Sequence, residues 1–137
     1  MSVEKIKSWL DSLDAIYELI EDINTFDLKW DVEGTIFDVR ITIRADKWIH
    51  VAVRLLKPEE IPDESRQELY AFLLTENWML DDVTYSMDEK GNLYSENDIP
   101  EQTNFENFKS ELDAVILGLE RFYTMVSNRF GIEPSGN

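Results

Sequence analysis

The sequence predicts an α+β domain, an antiparallel sheet with helices in the order α-β-β-β-α-β-β-α. Three observations predict it. Apolar residues alternate with polar ones from Phe26 to Leu55, interrupted only at short turns. Apolar stripes at steps of three and four occupy both ends of the chain. A second, shorter alternating stretch around a turn glycine lies between two helical patterns. With 137 residues, 43% of them hydrophobic, the chain can bury a core of its own. One domain over 1–132 is expected, followed by a loose, disordered tail at 133–137.

Residues 3–23 read as one amphipathic helix. Val3, Ile6, Trp9, Leu10, Leu13, Ile16, Tyr17, Ile20 and Ile23 fall on its stripe, and Ser2 is placed to cap it. The period then drops to two. Phe26, Leu28, Trp30 and Val32 end at Gly34; Phe37, Val39, Ile41 and Ile43 end at the link Ala45-Asp46; Ile49, Val51, Val53 and Leu55 complete a meander with one buried face. Pro58 and Pro62 break the pattern, and Asp63 or Ser65 can cap a second helix reaching about Trp78. A hairpin follows: Val83, Tyr85 and Met87, the turn Asp88-Glu89-Lys90-Gly91-Asn92, then a return strand ending at Ile99-Pro100. Thr103 and Glu106 have capping-box spacing before a last helix, whose apolar stripe runs from Phe105 to Phe130 and stops at Gly131. The expected core comprises Trp9, Leu13, Ile16, Phe37, Val39, Ile41, Val51, Val53, Leu112, Ile116 and Leu119.

That element order, the Pro-rich approach to the middle helix and the hairpin closing in Ile99-Pro100 before a long helix resemble the type III secretion chaperone-like fold. Within that superfamily the chain is similar to the YbjN group of sensory-transduction regulators over residues 3–130. The resemblance implies a small acidic dimer that binds segments of other proteins without catalysis, or a regulator.

Charge narrows the partners. The net charge is -16, distributed as -3 over residues 1–57 and -13 over 58–137. Such a surface repels phosphate backbones, so direct nucleic-acid binding is not expected. With no cysteine, the chain has no disulfide, thiol nucleophile or thiolate metal site. The start, Met1-Ser2-Val3-Glu4-Lys5, leads into an amphipathic pattern rather than a long apolar run, which predicts a cytoplasmic protein without membrane contact.

Chemistry finds little to work with. His50 is the single histidine, expected on the outward face of the third strand among Arg40, Thr42, Arg44 and Arg54. It lacks a converging partner for general-base or metal work. The 88–92 turn has Lys90 at a ligand position and glycine at its fourth residue, so it reads as a hairpin turn and not a calcium loop. Glu76, Asp81, Asp82, Glu96 and Asp98 could gather only weak divalent cations. No phosphate-cradling glycine pattern or nucleophile elbow occurs, so no enzyme, cofactor or metal is expected.

Two surfaces remain. On the middle helix Leu69, Phe72 and Leu73 can face the sheet, which leaves Tyr70, Leu74 and Trp78 either for a homodimer interface or, in a monomer, to be covered by the loop 56–62 or the hairpin 83–99. Lys29, Arg40, Arg44 and Arg54 form a basic island on the outward face of the meander. It reads either as cross-strand pairing with Asp27, Asp31 and Asp38 or as a docking patch for an acidic segment. The functional expectation is a dimeric, protein-binding, chaperone-like or regulatory domain. The alternative is an acidic decoy that mimics nucleic acid and occupies a basic protein's site.

The charge alone sets one test. Self-repulsion at -16 acts over about 30 Å at roughly 0.01 M salt but only about 8 Å at physiological ionic strength. The thermal midpoint is expected to rise between those conditions in a thermal scan, and a falling midpoint would show that paired or ion-bound acids dominate.

Overall fold

The computed structural model describes residues 2–45 and 47–137; Asp46, in the link before the third meander strand, and the Ser2 side chain, expected as a cap, lie outside the described residues. The alternating stretch forms strands β2 (Thr25–Val32), β3 (Thr35–Arg44) and β4 (Trp48–Leu56), with β1 (Tyr17–Ile20) paired outside β2. Between β2 and β3, Glu33 (φ 51) and Gly34 (φ 92) make a two-residue turn of positive φ, and the Asp31 carboxylate accepts the Gly34 amide at 2.7 Å. Beyond β4 the chain crosses through helix α2 (Arg66–Met79) to β5 (Tyr85–Met87) at the far edge, then turns back through β6 (Leu93–Pro100) beside β4. The sheet order is β1-β2-β3-β4-β6-β5, antiparallel throughout.

Alternation then divides the sheet. Phe37, Val39, Ile41, Ile49, Val51 and Val53 lie on the inner face and are buried. Helix α1 (Ser2–Ser12) and helix α3 (Phe105–Met125) supply the opposing layer through Ile6, Leu10, Phe108, Leu112, Leu119 and Phe122. Trp9 stacks at 5.1 Å on Phe108, tying α1 to the first turns of α3. At Gly118, α3 approaches the sheet closely: an added Cβ would stand 2.5 Å from Ser95 Oγ and 3.1 Å from Val83. Hydroxyls fix that approach, Ser95 donating to the Val115 carbonyl at 2.9 Å and Tyr85 to the Gly118 carbonyl at 2.8 Å. Helix α2 lies against the far half of α3, where Arg121 grips the buried Glu76 with Nε at 2.5 Å and Nη2 at 3.2 Å.

The first helix is shorter than its apolar stripe predicts, and the element order is α-β-β-β-β-α-β-β-α. The helix ends at Ser12 because Asp14 turns left-handed (φ 55) and two reverse hydrogen bonds close the end, Asp14 N to Asp11 O and Ala15 N to Leu10 O. That is a Schellman cap, with an aspartate in the place glycine usually holds. Residues 17–20 then pair with β2, so Ile16 is 90% exposed instead of core, while Trp9 and Leu13 are half-buried. Three capping expectations also change. Asn104, not Thr103, caps α3, its side chain accepting Asn107 N at 2.8 Å; Thr103 instead receives the Asn107 amide at 2.7 Å. Neither expected residue caps α2: Ser65 makes no capping bond, and Asp63 accepts from the Arg66 side chain.

Residues 133–137, expected as a loose tail, run back over the sheet end. Asn137 sits where β3 and β4 diverge: its backbone N–H donates to Ile36 O, its side-chain oxygen accepts Asp38 N, and its side-chain amide donates to Arg54 O. One side chain there replaces a rung of the ladder.

The shortened helix and the α3 stripe are testable together. Leu119→Ala should cost about 2–5 kcal/mol in denaturant unfolding, since Leu119 is fully buried. Ile16→Ala should change stability by less than about half a kcal/mol. A large loss at Ile16 would restore the longer helix.

Candidate functional site

Two surfaces stand apart from the core. The first is the outward side of α2. Leu74 is 70% exposed, Trp78 87%, and Met79 and Met87 are exposed beside them. Tyr70 is half-buried. Between α2 and the β5–β6 hairpin opens an apolar groove of about 250 Å³ lined by Tyr70, Leu73, Leu74, Asn77, Tyr85 and Met87. Asn77 holds its floor. The Asn77 side chain donates to Tyr85 O at 2.9 Å and accepts Tyr85 N at 2.8 Å, standing in for a neighbouring strand at the sheet edge. The residues expected to form a dimer interface, Tyr70, Leu74 and Trp78, thus share one helix face; Tyr70 and Leu74 line the groove.

The second surface is the outer face of the sheet, where β3, β4 and β6 display their polar alternates. The basic island divides there. Lys29 pairs with Asp38 and lies 3.5 Å from Asp27, and Arg40 reaches Asp27 at 3.7 Å. Arg44 donates to His50 Nδ1 at 2.9 Å. Arg54 has no ion pair among the described residues, and its buried Nε has no hydrogen-bond partner. Cross-strand pairing therefore accounts for Lys29 and Arg40, with Asp31 taking no part in it, and leaves Arg54 over.

His50 has a neighbour that its own meander could not reveal. Antiparallel pairing of β4 with β6 brings Glu96 from 46 residues away, with Oε1 at 2.6 Å from His50 Nε2. Because Arg44 can only donate, His50 Nδ1 accepts and Nε2 carries the proton donated to Glu96. Ser86 donates to the other Glu96 oxygen. The group is a serine-carboxylate-imidazole-guanidinium chain in which the serine meets the acid and not the base. Ser86 gains no general base from that arrangement. Elsewhere Asp88 is saturated: Lys90 N and Asn92 N donate to Oδ1, and the Asn92 amide and Tyr94 hydroxyl donate to Oδ2. Those donors, the Asn92 side chain foremost, hold its carboxyl down to about 2. The loosely grouped acids of the sequence are separated, Glu76 taken by Arg121 and Glu96 by His50 and Ser86. Among the described residues, no three His, Cys, Asp or Glu side chains converge as metal ligands would. No described helix is long and apolar enough to cross a membrane.

Glu96 carries a pH signature. The His50 hydrogen bond first, and the Ser86 bond after it, lower its carboxyl from 4.5 to about 2. A depressed carboxyl stabilises the fold above its unfolded value and loses that contribution as pH falls from about 4.5 toward 2. In carboxyl-carbon NMR the Glu96 midpoint is expected near 2, moving up toward 4.5 in His50→Ala. A midpoint near 4.5 in the unmodified protein would show that the His50–Glu96 contact does not persist in solution.

No family model matches the sequence, and no curated protein sequence matches it. Solved structures do. The SchA chaperone in its complex with the effector HopA1 superposes at TM-score 0.60 with 19% identity, covering 86% of this chain and 89% of that one. YbjN from E. coli superposes at 0.63 with 12% identity, covering 95% and 93%. The Yersinia pestis type III secretion chaperone SycH, solved with a fragment of YscM2, superposes at 0.60 with 12% identity, covering 87% and 97%. At these identities the likeness is one of architecture, and the chain has the fold that type III secretion chaperones share with YbjN.

Proposed function

We propose that the chain is a non-enzymatic protein-binding domain of chaperone-like type, which self-associates through α2 and holds a segment of another protein. The exposed apolar side of α2 carries this reading. Leu74 and Trp78 are exposed one turn apart on the same helix face, and Leu74 and Met87 line the groove beside it. Leaving a leucine or methionine in water forgoes about 1.5–3 kcal/mol relative to full burial. Solvent offers no return for that arrangement in a chain with so many charged residues to place. A second copy of the same helix across a two-fold axis meets the patch with itself. SchA and SycH, of the same fold, were solved with protein partners bound, which supports a protein or peptide ligand here.

Sedimentation tests the self-association. The unmodified protein should run as a dimer at tens of micromolar. Tyr70→Glu combined with Leu74→Glu should run as a monomer with an unchanged circular dichroism spectrum. A monomeric unmodified protein would remove the dimer from this reading.

A further inference from the structure

We propose that the outer face of the sheet carries a carboxylate-binding basin, which docks an extended acidic segment of a partner protein. The proposal rests on the protein-binding reading but not on the dimer, because the basin and the exposed side of α2 are different surfaces. Register builds it. On that face Arg40 stands beside Ala52, Thr42 beside His50, and Arg54 beside Tyr94. Ala52 rises only one methyl above the sheet, so its taller neighbours Arg40, Thr42, His50, Arg54 and Tyr94 wall a hollow of about 300 Å³, with Asp38 and Asn137 also in its lining.

The basin offers donors whose acceptors are missing. Arg54 has no carboxylate partner among the described residues, and its Nε is buried with nothing to bond. That buried Nε is out of a ligand's reach, but Arg54 lines the basin with no carboxylate on its guanidinium, which leaves its charge for an incoming acceptor. The neighbouring acids cannot serve. Asp38, in the basin lining, is paired with Lys29, Asp88 accepts from four donors, and Glu96 accepts from His50 and Ser86. Arg40 is tied only loosely, 3.7 Å from Asp27 and half-exposed. Two guanidinium groups thus converge on an alanine floor in a chain of net charge -16. Guanidinium recognises carboxylate through paired N–H bonds.

A second hollow, about 270 Å³, shares His50 and Tyr94 with the first, but Asp88 and Glu96 stand on its wall beside Arg44, so the acid-binding part is the basin between Arg40 and Arg54 alone. An extended segment laid over the strands presents every second side chain to that face. The ligand class is therefore an extended segment with at least one acid directed at the basin.

The probe is a fluorescent eight-residue peptide of alternating glutamate and serine, read by polarisation at physiological ionic strength. Saturable binding is expected, weakened at least about tenfold in Arg54→Gln and in Arg40→Gln. Ala52→Leu, which fills the floor and keeps every charge, should weaken it similarly. Lys109→Ala on α3 should leave it unchanged. No binding of the peptide, equal loss in Lys109→Ala, or full binding in Ala52→Leu would overturn the basin. So would Arg54-dependent binding of inorganic phosphate without binding of the peptide. Sedimentation of the same variants reports the α2 reading separately: if the oligomer itself dissolves in Arg54→Gln, the occupant is a second copy and the proposal is overturned.

Discussion

Strand β4 is paired on both sides, with β3 along Val39–Arg44 and with β6 along Leu93–Pro100, and the rest of the molecule takes its orientation from that double register. A one-residue slip on either side would exchange the faces of β4. Ile49, Val51, Val53 and Leu55 would then meet water, and His50, Ala52 and Arg54 would enter the core. The penalty on both sets makes the register single-valued. The same constraint that buries the core also places an alanine between two arginines on the outer face. Core and basin are two readings of one alternation.

Pairing with β6 also decides the electrostatics. In a chain with 29 acidic side chains, several at structured positions are held by specific donors. Glu76, nearly inaccessible, is held by the Arg121 fork. Asp27, also buried, shares one oxygen between Lys29 and Arg40. Removing a partner from such a site leaves a charge out of water without compensation, which is far more costly than losing an exposed pair. The excess negative charge is therefore a property of the exposed surface, where salt screens it. The hairpin turn is locally balanced by the four donors on Asp88, whereas the buried Asp27 keeps one oxygen without a hydrogen-bond partner.

Local periodicity made much of this legible. The meander could be read because β2, β3 and β4 alternate without a break and their turns are short. The unusual character of α2 could be read because Leu74 and Trp78 cannot join Leu69 and Leu73 on one side of a helix. What could not be read depended on residues far apart in the chain, or on a single dihedral. Leu10, Leu13, Ile16 and Ile20 fit a helical stripe equally well whether or not the chain turns at Asp14, and only the left-handed φ there separates α1 from β1. Glu96 was visible as an acid but not as the partner of His50, since that contact requires knowing that β6, not β5, lies beside β4. The cap moved from Thr103 to Asn104 because two adjacent capping residues offer alternative frames, and the one chosen aims its side chain at Asn107 N.

The β5–β6 hairpin joins the two surfaces mechanically. Its first strand is anchored from both faces of the chain, with the Tyr85 backbone held by Asn77 and its hydroxyl by the Gly118 carbonyl. Its turn is locked by Asp88, whose carboxyl, at about 2, stays ionised throughout the physiological range and so keeps all four donors in place. From that fixed frame Ser86 and Met87 line both the apolar groove beside α2 and the adjoining polar hollow, while Tyr94 lines both polar hollows and Glu96 one of them. A binding surface made of side chains already ordered loses less entropy when a partner arrives. The hairpin is short and at the edge of the sheet, a place where strands usually fray. The concentration of hydrogen bonds on Asp88, Asn77 and Tyr85 is what allows so small an element to wall two sites at once.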